Sequence, residues 1–155
     1  MARKRKPLIA LLILFVILLI LQVFPVTRDN PDVHLGLDFN ENPQVRQVLA
    51  TSCYDCHSNE TKWPWYSYVA PVSWLVAGDV EEGREHLNFS NWGLMSEDKQ
   101  AHAREEILEE IEEGKMPLDI YLIMHADAAL SDADKQVIRN WAKASPTQTE
   151  HEDEE

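Results

Sequence analysis

The chain has 155 residues, enough for one domain once its ends are set aside, and a formal net charge of −13. Four of its 14 basic groups and none of its 27 acidic ones precede residue 28, so the remainder carries −17. That balance excludes nucleic acid as an expected partner and favours a protein with a basic surface, or plain solubility.

Taken from the start, Arg3, Lys4, Arg5 and Lys6 precede an apolar run from Leu8 to Val26, broken only by Gln22 and Pro25. As a helix these nineteen residues reach roughly 28 Å, about one bilayer core. The competing reading is a cleaved signal peptide, which requires a shorter apolar stretch and small residues before the cut. Val23-Phe24-Pro25-Val26-Thr27 offers no such site. Residues 1–26 are therefore expected to be an uncleaved signal anchor, a single transmembrane helix. The basic cluster places its N-terminus in the cytoplasm and residues 28–155 outside, on the periplasmic face of a bacterial inner membrane. Residues 27–41, with Pro31, Gly36 and a solvated His34, read as linker and lead-in.

The next helix has Asn42 as N-cap, Pro43 at its first position, and Val45, Val48 and Leu49 on one face. It runs into Cys53-Tyr54-Asp55-Cys56-His57, the C-x-x-C-H pattern of covalent c-type haem attachment. Two thiols at this spacing match the two vinyl groups on one porphyrin edge. The following His57 then supplies a neutral imidazole as proximal iron ligand. A redox dithiol, a local disulfide and half a zinc site compete with this reading. Zinc requires about four ligands, whereas Cys53 and Cys56 are the two cysteines of the chain and no H-x₃₋₅-H pair completes the set. A thioredoxin-like dithiol sits in a βαβ context, and strand signals are almost absent.

Trp63-Pro64-Trp65-Tyr66-Ser67-Tyr68 holds four rings in six residues. These rings can wall a porphyrin, with an indole N–H or phenol O–H reaching a propionate, or simply fill a small core. Pro71 opens a helix over 71–86 with Val72, Leu75, Val76 and Val80 on its apolar face and Trp74 alongside. Residues 87–95, including Met95, read as loop, and His86 lies just before them. Ser96 caps a strong helix over 97–113, apolar at Ala103, Ile107, Leu108 and Ile111 and acidic elsewhere, with His102 at the surface. The acidic side is a solvated face or a dock for a basic partner.

Gly114 stops this helix, and Met116, set just after it and before Pro117, is placed to present a thioether. Met116 is the expected distal iron ligand, with Met124 and His125 as its competitors and a packed loop methionine as the plain alternative. Ser131 and Asp134 begin the last helix, with Val137, Ile138 and Trp141 on its apolar stripe. Pro146 ends the domain that starts at residue 42, and residues 147–155 read as an acidic disordered tail.

Beyond the motif itself, the string from Cys53 through Cys56-His57-Ser58-Asn59-Glu60-Thr61-Lys62-Trp63-Pro64-Trp65-Tyr66 resembles the small bacterial haem-binding domain related to cytochrome c. Pro71-Val72-Ser73-Trp74, Glu81-Glu82-Gly83-Arg84, Leu87-Asn88-Phe89-Ser90, Met116-Pro117, Tyr121, His125 and Leu130-Ser131 carry the likeness over residues 35–145. Members commonly read His-Pro-Glu-Ala where this chain has His125-Ala126-Asp127-Ala128. The resemblance implies an all-helical, exported, membrane-anchored domain around one covalent haem c, held by Cys53 and Cys56 and ligated by His57. Four or five helices are expected, with the first and last packed together.

The expected function is one-electron transfer between respiratory or other periplasmic redox partners, with a non-enzymatic electron carrier favoured over an enzyme. A Met/His axial pair raises the potential and points to an oxidising partner. The rival is a haem enzyme or sensor with an open distal side, for which His86 or His125 would serve as a base.

Overall fold

The computed structural model describes residues 5–34 and 36–144. Every regular element among them is helical, as the expectation of an all-α fold requires. The acidic tail expected over 147–155 lies outside the described residues.

Helix α1 (Arg5–Leu21) is apolar beyond Lys6, and its large side chains from Leu8 to Ile20 are left uncovered. The transmembrane helix expected over this run is not found among the described residues. The described part of the helix has 17 residues, roughly 25 Å, and among the described residues no helix is long and apolar enough to cross a membrane. Its end at Leu21 has a local cause. Gln22 turns its side chain onto Ala70, donating to its carbonyl and accepting from its amide, both at 3.1 Å. Pro25 follows and cannot continue a helix.

The segment after α1 lies along the domain. Arg28 donates to the Ser67 carbonyl and stacks over the Tyr68 ring at 4.2 Å. Asn30 donates to the Thr61 carbonyl, and Asn59 to that of Asp32. Farther on, Phe39 is buried in the core.

Helix α2 (Pro43–Ser52) starts where the cap predicts, with Asn42 Oδ1 accepting from the amides of Gln44 and Val45. The one-turn helix α3 (Tyr54–His57) follows directly, and α4 (Val72–His86) begins one residue after Pro71. Helix α5 (Glu97–Glu112) is capped by Ser96. Gly114, at φ +71°, takes the left-handed position that ends it, and the next two amides donate back to the Glu110 carbonyl. After the short α6 (Asp119–Leu122), α7 (Asp132–Lys143) starts at a reciprocal capping box of Ser131 and Asp134. Helix α7 packs against both α2 and α5.

Residues 87–95 are not the open loop expected. Phe89–Leu94 forms a 3-10 helix, and its Phe89 and Trp92 are 1% and 3% exposed, inside the core with Phe39, Leu49 and Ile138. A spacing of three places both rings on one side of a 3-10 helix, which has three residues per turn. Backbone bonds tie this segment to the lead-in, from Phe39 N to Phe89 O and from Gly93 N to Leu37 O. A Cβ on Gly93 would lie 3.1 Å from Leu37 Cα, so this approach favours glycine.

Beneath that core, Glu41 accepts from the indole N–H groups of Trp92 and Trp141, at 2.7 and 2.8 Å, and pairs with Arg104. Burial pushes its carboxyl up, but these donors outweigh burial and hold it below the usual carboxylate range.

Candidate cofactor site

Cys53 is the joint between two helices. Its amide donates to Leu49 O and closes α2, while its carbonyl accepts from the amides of Cys56 and His57. One helical turn thus carries both thiols and the imidazole, since residues three and four apart are neighbours on a helix. Ser58 secures the exit by donating its hydroxyl to the Tyr54 carbonyl at 2.7 Å.

Helix α4 lies across this turn. A Cβ at Gly83 would sit 2.9 Å from the Cys56 carbonyl oxygen, so the helix comes this close only because the residue is glycine. Four residues on, the Leu87 carbonyl stands 3.1 Å from His57 Nδ1. A carbonyl only accepts, so Nδ1 carries the hydrogen and Nε2 keeps its lone pair. That is the tautomer a metal-binding imidazole uses. Burial lowers the His57 pKa against the opposing pull of the backbone carbonyls, and so favours the neutral ring.

Arg84, next to Gly83, fastens three segments at once. It donates to Ser58 O just past the motif, to Thr61 Oγ1, and to Asp29 O and Asn30 Oδ1 of the lead-in.

Both cysteines are free thiols. Burial, with Cys56 nearby, pushes Cys53 up to about 12. Burial and the charges of Asp79 and Asp55 push Cys56 up to about 11. Protonated sulfurs at neutral pH are the reverse of the low-pKa thiolate that a redox dithiol employs. Among the described residues, no group of three or more His, Cys, Asp or Glu side chains is arranged to hold a metal ion by itself.

A second cluster meets the motif at Asp55. Tyr121 donates its hydroxyl to Asp55 Oδ2 at 2.9 Å, and its ring stacks on His125 with centroids 4.1 Å apart. His125 Nδ1 lies 3.2 Å from the Tyr121 carbonyl and 3.4 Å from the Tyr66 hydroxyl. Burial and the Asp55 charge raise the pKa of Tyr121, so its hydroxyl remains a donor.

Cys53, Cys56 and His57 therefore share one turn, and His125 reaches the motif through Tyr121 and Asp55. Met116 lies half-buried in the bend after α5, ahead of a cis bond to Pro117, with its amide on the Glu110 carbonyl. Met124 is 56% exposed, and His86 is exposed with Nδ1 near the Glu82 carbonyl. Sequence reasoning placed Gly83, Arg84, Leu87 and Tyr121 in the family likeness but assigned them no role, and it missed the Asp55–Tyr121 bond. A glycine inside a helical pattern was the available sign of close backbone approach at Gly83. The contacts of Arg84, Leu87 and Tyr121 are long-range pairings with no local signal.

A family model described as a haem-binding domain matches residues 16–144. The chain belongs to this family. No curated protein and no solved structure matches it.

The haem-binding domain has two unmet needs that a haem answers. Trp63 Nε1 is a buried donor without a partner in the structure, and a propionate carboxylate is an acceptor. Ile120, Ile123 and Met124 are large, apolar and uncovered, and a porphyrin is a large apolar plate. Burying each such side chain contributes about 1.5–3 kcal/mol. With two thiols and a tautomer-fixed imidazole on one turn, the residues fit the group.

Proposed function

We propose that this haem-binding domain is a c-type cytochrome that carries single electrons between respiratory or other periplasmic redox partners. Cys53 and Cys56 hold one haem c through thioethers, and His57 Nε2 ligates the iron. The carrying observation is the Leu87 carbonyl at His57 Nδ1, beside two protonated thiols on the same turn. When bound, haem supplies a ferric/ferrous couple. The protein would orient the imidazole through the Leu87 carbonyl and offer Trp63 Nε1 as a donor to a propionate.

Met116 is the proposed distal ligand, since it leaves a helix stop and precedes α7 in chain order. A soft thioether favours ferrous iron and raises the potential. A second reading has a specific observation behind it. His125 is the competitor that hydrogen-bonded neighbours tie to the motif, and a weak or absent Met116 bond would suit a haem enzyme or sensor. The acidic face of α5 suits a basic redox partner.

Residues 1–26 anchor the chain in a bacterial inner membrane with the haem domain on the periplasmic side. Support comes from the basic cluster Arg3–Lys6 ahead of the apolar run and from the uncovered apolar side chains of α1.

The test is the mass and spectrum of protein made in a cytochrome-maturing host. Haem that stays on the denatured polypeptide supports thioether attachment, and haem that separates from it defeats the assignment. Met116→Ala should abolish the long-wavelength Met–iron band and open the iron to small ligands. If His125→Ala does this instead, the distal role moves to His125.

A further inference from the structure

We propose that the uncharged face formed by residues 65–78 docks on the lipid surface beside α1, so that the haem domain lies on the bilayer instead of swinging above it. The proposal rests on the reading of α1 as a membrane anchor. Its first support is composition. From Trp65 to Gly78 there is no Asp, Glu, Lys or Arg, in a chain where charged residues make up 26%. The stretch reads Trp-Tyr-Ser-Tyr-Val-Ala-Pro-Val-Ser-Trp-Leu-Val-Ala-Gly. Tryptophan and tyrosine are the residues enriched where a bilayer meets water.

Its second support is exposure. Trp65 is 71% exposed and Leu75 61%, and Tyr68, Val69, Val72 and Trp74 are also uncovered. Their neighbours Ser67, Ala70 and Ser73 are buried, so the backbone beneath this face is fixed while its apolar side chains have no cover within the chain. An isolated exposed apolar residue is ordinary, but a contiguous set marks an interaction surface.

The third support identifies the occupant. The face is continuous with the end of α1 and joined to it without slack. Gln22 makes a two-way pair with the Ala70 backbone, and Trp74 Nε1 donates to the Phe24 carbonyl at 3.1 Å. Val23 and Phe24, exposed between them, bridge the apolar helix and the apolar face. Arg28, stacked on Tyr68, adds a cation at the height of lipid headgroups. If α1 is in lipid, this joint brings residues 68–75 to the same interface. The strongly acidic helix α5 packs on α7, and the acidic residues of α4 begin only at Asp79, past the uncharged stretch.

The geometry has a consequence for electron transfer. Gly83 touches Cys56 eleven residues along α4 from Val72, a rise of roughly 16 Å. The cofactor site is thereby held near the membrane plane, within reach of a redox partner that is itself membrane-bound.

The experiment uses the full-length holoprotein in vesicles of phosphatidylcholine and phosphatidylglycerol. Nitroxides are placed singly through Ile13→Cys, Tyr68→Cys, Leu75→Cys and Glu106→Cys, and collisions with oxygen and with a water-soluble nickel chelate are read by electron paramagnetic resonance. The proposal expects labels 68 and 75 to favour oxygen and lose nickel access, while label 106 on α5 keeps it. Nickel access at 68 and 75 equal to that at 106, with label 13 still in lipid, overturns the docking and leaves the anchor intact. Shielding of 68 and 75 from both reagents, meaning cover by protein or porphyrin, also overturns it. Nickel access at label 13 defeats the anchor itself, and the docking with it.

Discussion

The two ends of the haem-binding domain differ in how completely the chain satisfies itself. At the α2–α5–α7 end, Phe39, Trp92 and Trp141 pack edge to face or tilted, with ring centroids 5.3–5.9 Å apart. Both indoles there donate to Glu41, whose charge is met by Arg104. At the motif end, Trp63 Nε1 is buried without a partner, and Ile120, Ile123 and Met124 have no cover. A polypeptide that has to fold by itself fills the first kind of site. The second kind is shaped for something the chain does not contain, and its unmet donor and bare apolar surface describe that guest.

Substitutions on each side sharpen the contrast. The largest loss is expected from Phe39→Ala, which empties the centre of the complete end. It should cost about 3–5 kcal/mol in denaturant unfolding. The matching change at the incomplete end, Ile123→Ala, should cost under about 0.5 kcal/mol unless haem covers that residue.

Glu41→Gln comes next and should cost about 1–3 kcal/mol, because the carboxylate that accepts from Trp92, Trp141 and Arg104 loses its charge. The pH dependence gives the sign. The Glu41 pKa lies below its ordinary value in the folded state, so its contribution is present at neutral pH and lost as pH falls through that lowered value. Unfolding midpoints of wild type and Glu41→Gln should differ at pH 7 and converge in acid. A gap that persists undiminished at low pH would mean that shape, not charge, holds the knot.

Gly83→Ala tests the motif end directly. The added methyl meets Cys56 backbone at 2.9 Å, which a side-chain rotation cannot relieve. Overpacking should cost about 1–3 kcal/mol, less the roughly 1 kcal/mol that alanine gains over glycine within a helix. The decisive readout is the haem spectrum, since a displaced α4 moves the Leu87 carbonyl that fixes the His57 tautomer. An unchanged spectrum would show that the carbonyl does not govern the ligand.

The smallest effect on the polypeptide is expected from Trp63→Phe. Removing an unpartnered donor should leave unfolding within about 0.5 kcal/mol of wild type. If the indole serves a propionate, the same change should alter the reduction potential of the holoprotein. An unaltered potential would place the propionates elsewhere.

What was readable in the chain by itself was local. Asn42, Ser96 and Ser131 cap α2, α5 and α7 with their own side chains, Gly114 ends α5, and C-x-x-C-H sets three functional groups on a single turn. Each of these acts within about four residues, the reach of a helical hydrogen bond or side-chain cap, so no knowledge of the rest of the fold is required. Tertiary structure alone decided the remainder. Phe89 and Trp92 became core because the lead-in strung Leu37 and Phe39 beside them. Helix α1 ended at Leu21 where Gln22 found Ala70, 48 residues away. Imidazole tautomer, thiol ionisation and the unmet need of Trp63 likewise depend on which distant carbonyl, carboxylate or void the fold brings alongside. Local bonds repeat wherever the local pattern repeats, but a pairing between distant residues exists only once burial has packed the chain around it.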